Sequence, residues 1–122
     1  MTATVLVVDD SPSVRQLVSN TLEASGYATF TASDGQEALD LSEGRRPDAV
    51  ITDQNMPRLD GLGFCEAFRA RPGNQGVPII FLSTDDADTL KARARAAGAI
   101  GWMIKPFDQQ KLLAVMGKVL PI

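Results

Sequence analysis

Short apolar runs and helix-period patterns alternate along the whole chain. Thr4–Val8 is a β-branched, apolar run that stops at Asp9-Asp10, the pattern of a strand buried on both faces. Ser11 and Pro12 then supply a helix cap and a first-turn proline. Val14, Leu17, Val18, Thr21 and Leu22 follow at i, i+3, i+4, i+7 and i+8, one apolar helix face that Gly26 is placed to end. Ala28–Ala32 reads as a second strand, and Asp34-Gly35 starts a short helix carrying Ala38, Leu39 and Leu41. Ala49–Thr52 is a third strand ending at Asp53, from which the loop Gln54–Asp60 leads to a helix with Leu62, Phe64, Cys65 and Phe68. After a turn at Pro72–Gly76, Val77–Leu82 is the most apolar strand, and a helix with Leu90, Ala94 and Ala97 closes at Gly98. Ile100–Ile104 is the fifth strand, and the last helix, from Asp108, carries Leu112, Leu113, Val115, Met116 and Val119.

Five strands, each followed by a helix, predict one α/β domain over residues 1–122, a parallel sheet covered on both faces. Composition narrows what such a domain can do. The 122 residues include one Cys and no His, which excludes an internal disulfide, Ser-His-Asp and Cys-His triads, HExxH sites and His-ligated metals. Any chemistry must run on carboxylates, hydroxyls, lysine or a group supplied by a partner. A net charge of −3 argues against nucleic acid or an anionic membrane as partner. The longest apolar runs are strand-length, short of the ~18 residues of a membrane helix, and the start lacks a signal-peptide pattern, so the cytoplasm is the expected compartment.

In an open parallel sheet, ligands bind beyond the carboxyl ends of the strands, where the strand order reverses. The first strand ends in Asp9 and Asp10, the third in Asp53, the fourth in Ser83 and Thr84, and the fifth in Lys105. Asp10 or Ser11 is equally well read as a helix cap, and Lys105 as a structural ion-pair partner for one of the aspartates. Three aspartates from two strands are another matter. Their mutual repulsion in a partly desolvated pocket calls for a cation. Oxygen-only ligands, with no His or Cys, suit magnesium, and no continuous calcium loop is present. A lysine, a hydroxyl and such an ion around a carboxylate are the apparatus for a phosphoryl group.

These residues resemble a response-regulator receiver domain across essentially the whole chain. The matching segments are Val7-Val8-Asp9-Asp10-Ser11 with Arg15, and Ile51-Thr52-Asp53-Gln54-Asn55-Met56-Pro57 with Asp60-Gly61. Val77–Ser83, Ala97-Gly98-Ala99 and Gly101-Trp102-Met103-Ile104-Lys105-Pro106-Phe107 complete the set. The resemblance implies a doubly wound (βα)5 flavodoxin-like sheet of order 2-1-3-4-5. It implies Asp53 as phosphoacceptor, with Mg2+ (Mn2+ as substitute) held by Asp9, Asp10, Asp53 and the backbone carbonyl of Asn55. Lys105 and Ser83 would contact phosphoryl oxygens, with Thr84 as a further candidate contact whose bulk would narrow access. A cis peptide is expected before Pro106. Trp102 stands where receivers carry a switch aromatic, coupled to Ser83; on composition alone it is a half-buried strand residue. The donor would be a phosphohistidine on a sensor histidine kinase or phosphotransfer protein, which fits a chain with no histidine of its own.

With nothing after the fifth helix, the output would be binding of a downstream protein through the surface of helix 4, strand 5 and helix 5. The expected protein is a monomer of chemotaxis type; an intermediate carrier in a phosphorelay is the nearest variant. A magnesium-dependent aspartyl phosphatase would need an Asp two residues after its nucleophile, where Asn55 stands, and a cap domain. A flavin carrier would need a Ser/Thr/Gly loop where Asp9 and Asp10 stand. The remaining features read as structural: Lys91, Arg93, Arg95, Arg69 and Arg71 as solvated helix faces, and Cys65, Met56 and Met103 as packing.

Overall fold

A computed structural model describes residues 2–121. The chain runs β1 (Thr4–Val8), α1 (Pro12–Ala24), β2 (Ala28–Ala32), α2 (Gly35–Gly44), β3 (Ala49–Thr52), α3 (Gly61–Ala70), β4 (Ile79–Ser83), α4 (Asp88–Ala96), β5 (Gly101–Ile104) and α5 (Gln109–Val119). All pairings are parallel, in the order β2-β1-β3-β4-β5. This is the expected α/β class and strand order.

The period-2 alternation of strands sorts one apolar run into two cores. Val5 and Val7 of β1 face Val18 and Leu22 of α1 and Leu112 and Met116 of α5. Leu6 and Val8 face the other way, toward Ala38 and Leu39 of α2 and Phe64, Cys65 and Phe68 of α3. Each of these side chains is at most 8% exposed, and full burial of a Leu or Phe contributes about 1.5–3 kcal/mol. The register aligns Val8 with both Ala32 and Thr52, so β1 and β3 end side by side. Beyond them the chain turns to opposite sides of the sheet, opening the crevice that holds the site.

Local signals set the helix starts. The side chains of Ser11, Asp34, Asp60 and Asp108 each accept a hydrogen bond from a first-turn backbone N–H of α1, α2, α3 and α5. Ala87 before α4 offers none, and Ala94 is the one buried residue of that helix. Gly98 ends α4 with φ +101°, a conformation that favours glycine. The Lys105–Pro106 peptide is cis, as expected.

Several expectations need correction. β4 begins at Ile79, not Val77, because Pro78 has no N–H for the ladder and the Val77 N–H turns back to the Asn74 carbonyl. It extends through Ser83, and β5 begins at Gly101 rather than Ile100. Leu17 and Leu41 are 47% and 41% exposed, on the outer edges of their helices rather than in the core. Arg69 and Arg71 are not a solvated face. Arg69 donates to the carbonyls of Asn74 and Gly98 in the loops after α3 and α4, and Arg71 to the Leu39 carbonyl and the Ser42 hydroxyl of α2.

Candidate functional site

Asp9 and Asp53 begin where their strands end. The Asp53 N–H still bonds the Val8 carbonyl at 2.8 Å and the Asp9 N–H the Ala32 carbonyl at 3.1 Å, so both carboxylates are fixed by the sheet itself. The Asp9 side chain turns back to accept from the Ser11 N–H at 2.9 Å, while Arg15 donates to the Asp9 carbonyl at 2.7 Å. Asp53 accepts from the Gln54 N–H at 2.7 Å. Asp9 and Asp53 are buried, and Asp10 is exposed at the mouth. Each of the three offers a carboxylate oxygen within 4.8 Å of the others.

Lys105 reaches into this cluster from the end of β5, which remains tied to β4 by the Lys105 N–H bond to the Ser83 carbonyl. Its Nζ lies 2.7 Å from Asp9 Oδ2 and 3.1 Å from Asp53 Oδ2. One ammonium against three carboxylates leaves two negative charges uncompensated. Burial pushes the Asp9 carboxyl above its ordinary range, opposed by its bonds from Lys105 and Ser11. Burial alone would lower the Lys105 ammonium, but its bonds to Asp9 and Asp53 carry it above the usual lysine value. An oxygen-only set with surplus negative charge fits a hard divalent cation.

Ser83 is fully buried at the end of β4, and its hydroxyl accepts from the Asp85 N–H at 3.2 Å. Its carbonyl accepts from the Lys105 N–H, while its hydroxyl is bonded to the β4–α4 loop. Thr84 is exposed beside it. Trp102 is half-buried, stacked on Phe81 with centroids 4.9 Å apart and planes 5° from parallel. Its Nε1 donates to the Asp85 carbonyl at 2.9 Å. Asp85 thus takes one bond from the indole and gives one to the serine.

Asn55 is exposed in the loop between β3 and α3, and that loop holds what the sequence reading missed. Gln54 is 3% exposed; its amide donates to Asp60 and accepts from the Leu62 N–H. Arg58 grips Asp34 through Nε and Nη2 at 2.9 and 3.1 Å. The place of Gln54 directly after a strand-end aspartate gives no sign in the sequence of its burial. The Arg58–Asp34 pair spans 24 residues and carried no local signal.

Residues 5–116 match the model of the response regulator receiver domain family. The response regulator MprA of Mycolicibacterium vanbaalenii is 41% identical over 120 residues, covering 98% of this chain and 51% of that protein; MprA of Mycobacterium tuberculosis is 39% identical over the same shares. The chain spans about half the length of these curated relatives. Among solved structures, chemotaxis protein CheY4 of Vibrio cholerae superposes with a TM-score of 0.93 at 42% identity, covering 98% of this chain and all of that one. The receiver domain of sensor histidine kinase PA1611 from Pseudomonas aeruginosa, solved with magnesium in its active-site cleft, gives 0.87 at 27% identity, covering 97% of each.

Proposed function

The chain belongs to the response regulator receiver domain family, and from that premise we propose that Asp53 is its phosphoacceptor, within a single receiver domain spanning residues 1–122. The observation that carries this reading is the convergence of Asp9, Asp10 and Asp53 from two neighbouring strands with Lys105 bridging two of them. An Asp53 oxygen attacks phosphorus of a phosphohistidine on a sensor histidine kinase or phosphotransfer protein. The new P–O bond forms as the P–N bond breaks, and the electron pair returns to the donor's imidazole. Asp9, Asp10, Asp53 and the Asn55 carbonyl would hold Mg2+ or Mn2+, which would supply positive charge to offset that of the transferring phosphoryl oxygens. Lys105 exchanges its bond to Asp53 for one to a phosphoryl oxygen. Ser83 releases Asp85 and donates its hydroxyl to another.

That exchange gives the signal its route outward. Once Ser83 leaves the Asp85 N–H, Asp85 keeps only the Trp102 indole of the two partners outside its loop, and the loop and Trp102 can repack together. Trp102 lines two grooves flanking β5, of about 500 Å³ with Lys91, Arg95 and Ile100 and about 420 Å³ with Ile104, Lys111 and Val115. The face of α4, β5 and α5 is therefore the proposed docking surface for a downstream protein, with the receiver acting as a monomer. The likeness to chemotaxis protein CheY4, 42% identical with a TM-score of 0.93, supports a chemotaxis-type output. Incubation with acetyl phosphate and Mg2+ should add one phosphoryl group by intact mass, and Asp53→Asn should abolish it. Labelling that persists in the variant, or needs no divalent cation, would overturn the assignment.

A further inference from the structure

We propose that Arg58 is a positioning residue for this site: its two-pronged grip on Asp34 holds the β3–α3 loop, and with it the Asn55 carbonyl, in place for a divalent cation. The inference rests on the reading of Asp9, Asp10, Asp53 and Asn55 as the cation's ligands. Arg58 has φ +65°, and among the described residues it is the one non-glycine residue with positive φ. Such a conformation persists where the surroundings over-determine it. Here they do. The guanidinium fork meets both oxygens of Asp34, a geometry that a lysine cannot reproduce. Asp34 is itself fixed, 6% exposed and capping α2 through the Glu37 N–H at 2.8 Å, and the Arg58 guanidinium holds its carboxyl below the usual range.

Beside the ion pair, the Gly35 N–H donates to the Leu59 carbonyl at 2.9 Å. A Cβ on Gly35 would meet that same oxygen at 2.5 Å, so loop and helix touch backbone on backbone. At the other end of the loop Gln54 bridges Asp60 and Leu62. The exposed Asn55 lies between these two braces, and its carbonyl is placed by them. Both side-chain bonds of Arg58 go to Asp34 and none to the carboxylate cluster, and its side chain is 59% exposed. Its effect on the cation is exerted through the loop.

The test is calorimetric titration of the intact chain with Mg2+ and, separately, Ca2+. Arg58→Gly keeps the left-handed backbone at no steric cost but removes the grip. It should weaken Mg2+ by about tenfold, the scale of losing an outer-shell support, and Ca2+ clearly less. The asymmetry follows because Mg2+ demands a fixed near-octahedral set while Ca2+ tolerates a loose one. Arg58→Lys retains the charge without the fork and should share the Mg2+ loss. Asp34→Asn still caps α2, should reproduce the loss, and should add nothing to Arg58→Gly in the double variant. Tighter binding of both ions would mean that Arg58 acts only as a nearby positive charge. Equal weakening of both, with a lower urea midpoint, would mean that it only supports the fold. Either result overturns the proposal. If the unaltered chain binds no Mg2+ at millimolar concentration, or Asp10→Asn leaves binding unchanged, the cation site itself falls, and that is read before Arg58 is altered.

Discussion

Replacing Lys105 with methionine tests whether the lysine is the counter-ion that lets the aspartate cluster fold. The substitution keeps the stem's volume and removes a charge 2.7 Å from Asp9 and 3.1 Å from Asp53, both nearly buried. Breaking a buried pair on one side typically costs about 3–5 kcal/mol. The cluster has a way to limit that loss, since one carboxyl can take up a proton. At neutral pH this caps the cost near about 4 kcal/mol, the work of protonating an aspartate with an ordinary pKa. With Lys105 still 14% exposed, we expect a loss of about 2–4 kcal/mol in chelator at pH 7. For a 122-residue chain that is a Tm lower by roughly 8–15 °C. The sign with pH is fixed. A carboxyl whose folded pKa is raised binds more protons in the folded state, so the variant loses stability as pH rises and the gap from the parent narrows toward about pH 5. Millimolar Mg2+ should raise the variant's Tm more than the parent's, because the cation no longer competes with the ammonium for the Asp9 and Asp53 oxygens. Thermal unfolding with and without Mg2+ at several pH values decides it. A pH-independent penalty, or an equal Mg2+ gain in both proteins, would refute the counter-ion role.

Three further outcomes follow from particular contacts. Gly61→Ala would place its Cβ against the Asp53 carbonyl and 2.7 Å from the Phe81 ring; urea unfolding should show a loss of about 1–3 kcal/mol, with phosphoryl uptake reduced as Asp53 shifts. Burial pushes the Cys65 thiol up to about 11, so a thiol reagent near pH 8 should leave it unmodified until denaturant is added. Asp34 is held below its usual pKa chiefly by the Arg58 bonds. Its contribution is therefore present above the unfolded aspartate value and lost as pH falls through the folded one. Asp34→Asn should flatten that part of the acid limb in a pH series of unfolding midpoints, while leaving the slope above pH 5 unchanged.

The alternation of strand and helix patterns carried most of the fold, because a parallel sheet buried on both faces needs continuous apolar strands and amphipathic covers. It failed where a pattern says which face is apolar but not how wide the contact is. Leu17 and Leu41 sit on the correct helices at positions their neighbours do not reach. Strand limits slipped for a backbone reason, the missing N–H of Pro78. Strand order was implied by resemblance alone, since nothing local distinguishes 2-1-3-4-5 from other windings.

The site divides in the same way. The convergence of Asp9, Asp10, Asp53 and Lys105 was legible because each stands at a strand end, and strand ends are the points whose mutual position a parallel sheet fixes. Gln54, Arg58 and Asp34 were not, because they work through pairings across a loop, and loops have no period to read. Yet the loop determines what the carboxylates can do. Three aspartates within 4.8 Å describe an acidic pocket; the proposed ligand set adds the carbonyl of Asn55, a residue that lies in sequence between the braces at Gln54 and Arg58. The same holds on the opposite wall, where Asp85 links the Ser83 hydroxyl to the Trp102 indole through its own N–H and carbonyl. On the proposed reading, side-chain chemistry at the strand ends would specify the reaction. The backbone of the two adjoining loops, held by Arg58–Asp34 and by Trp102–Asp85, would then set its geometry and carry its consequence to the surface.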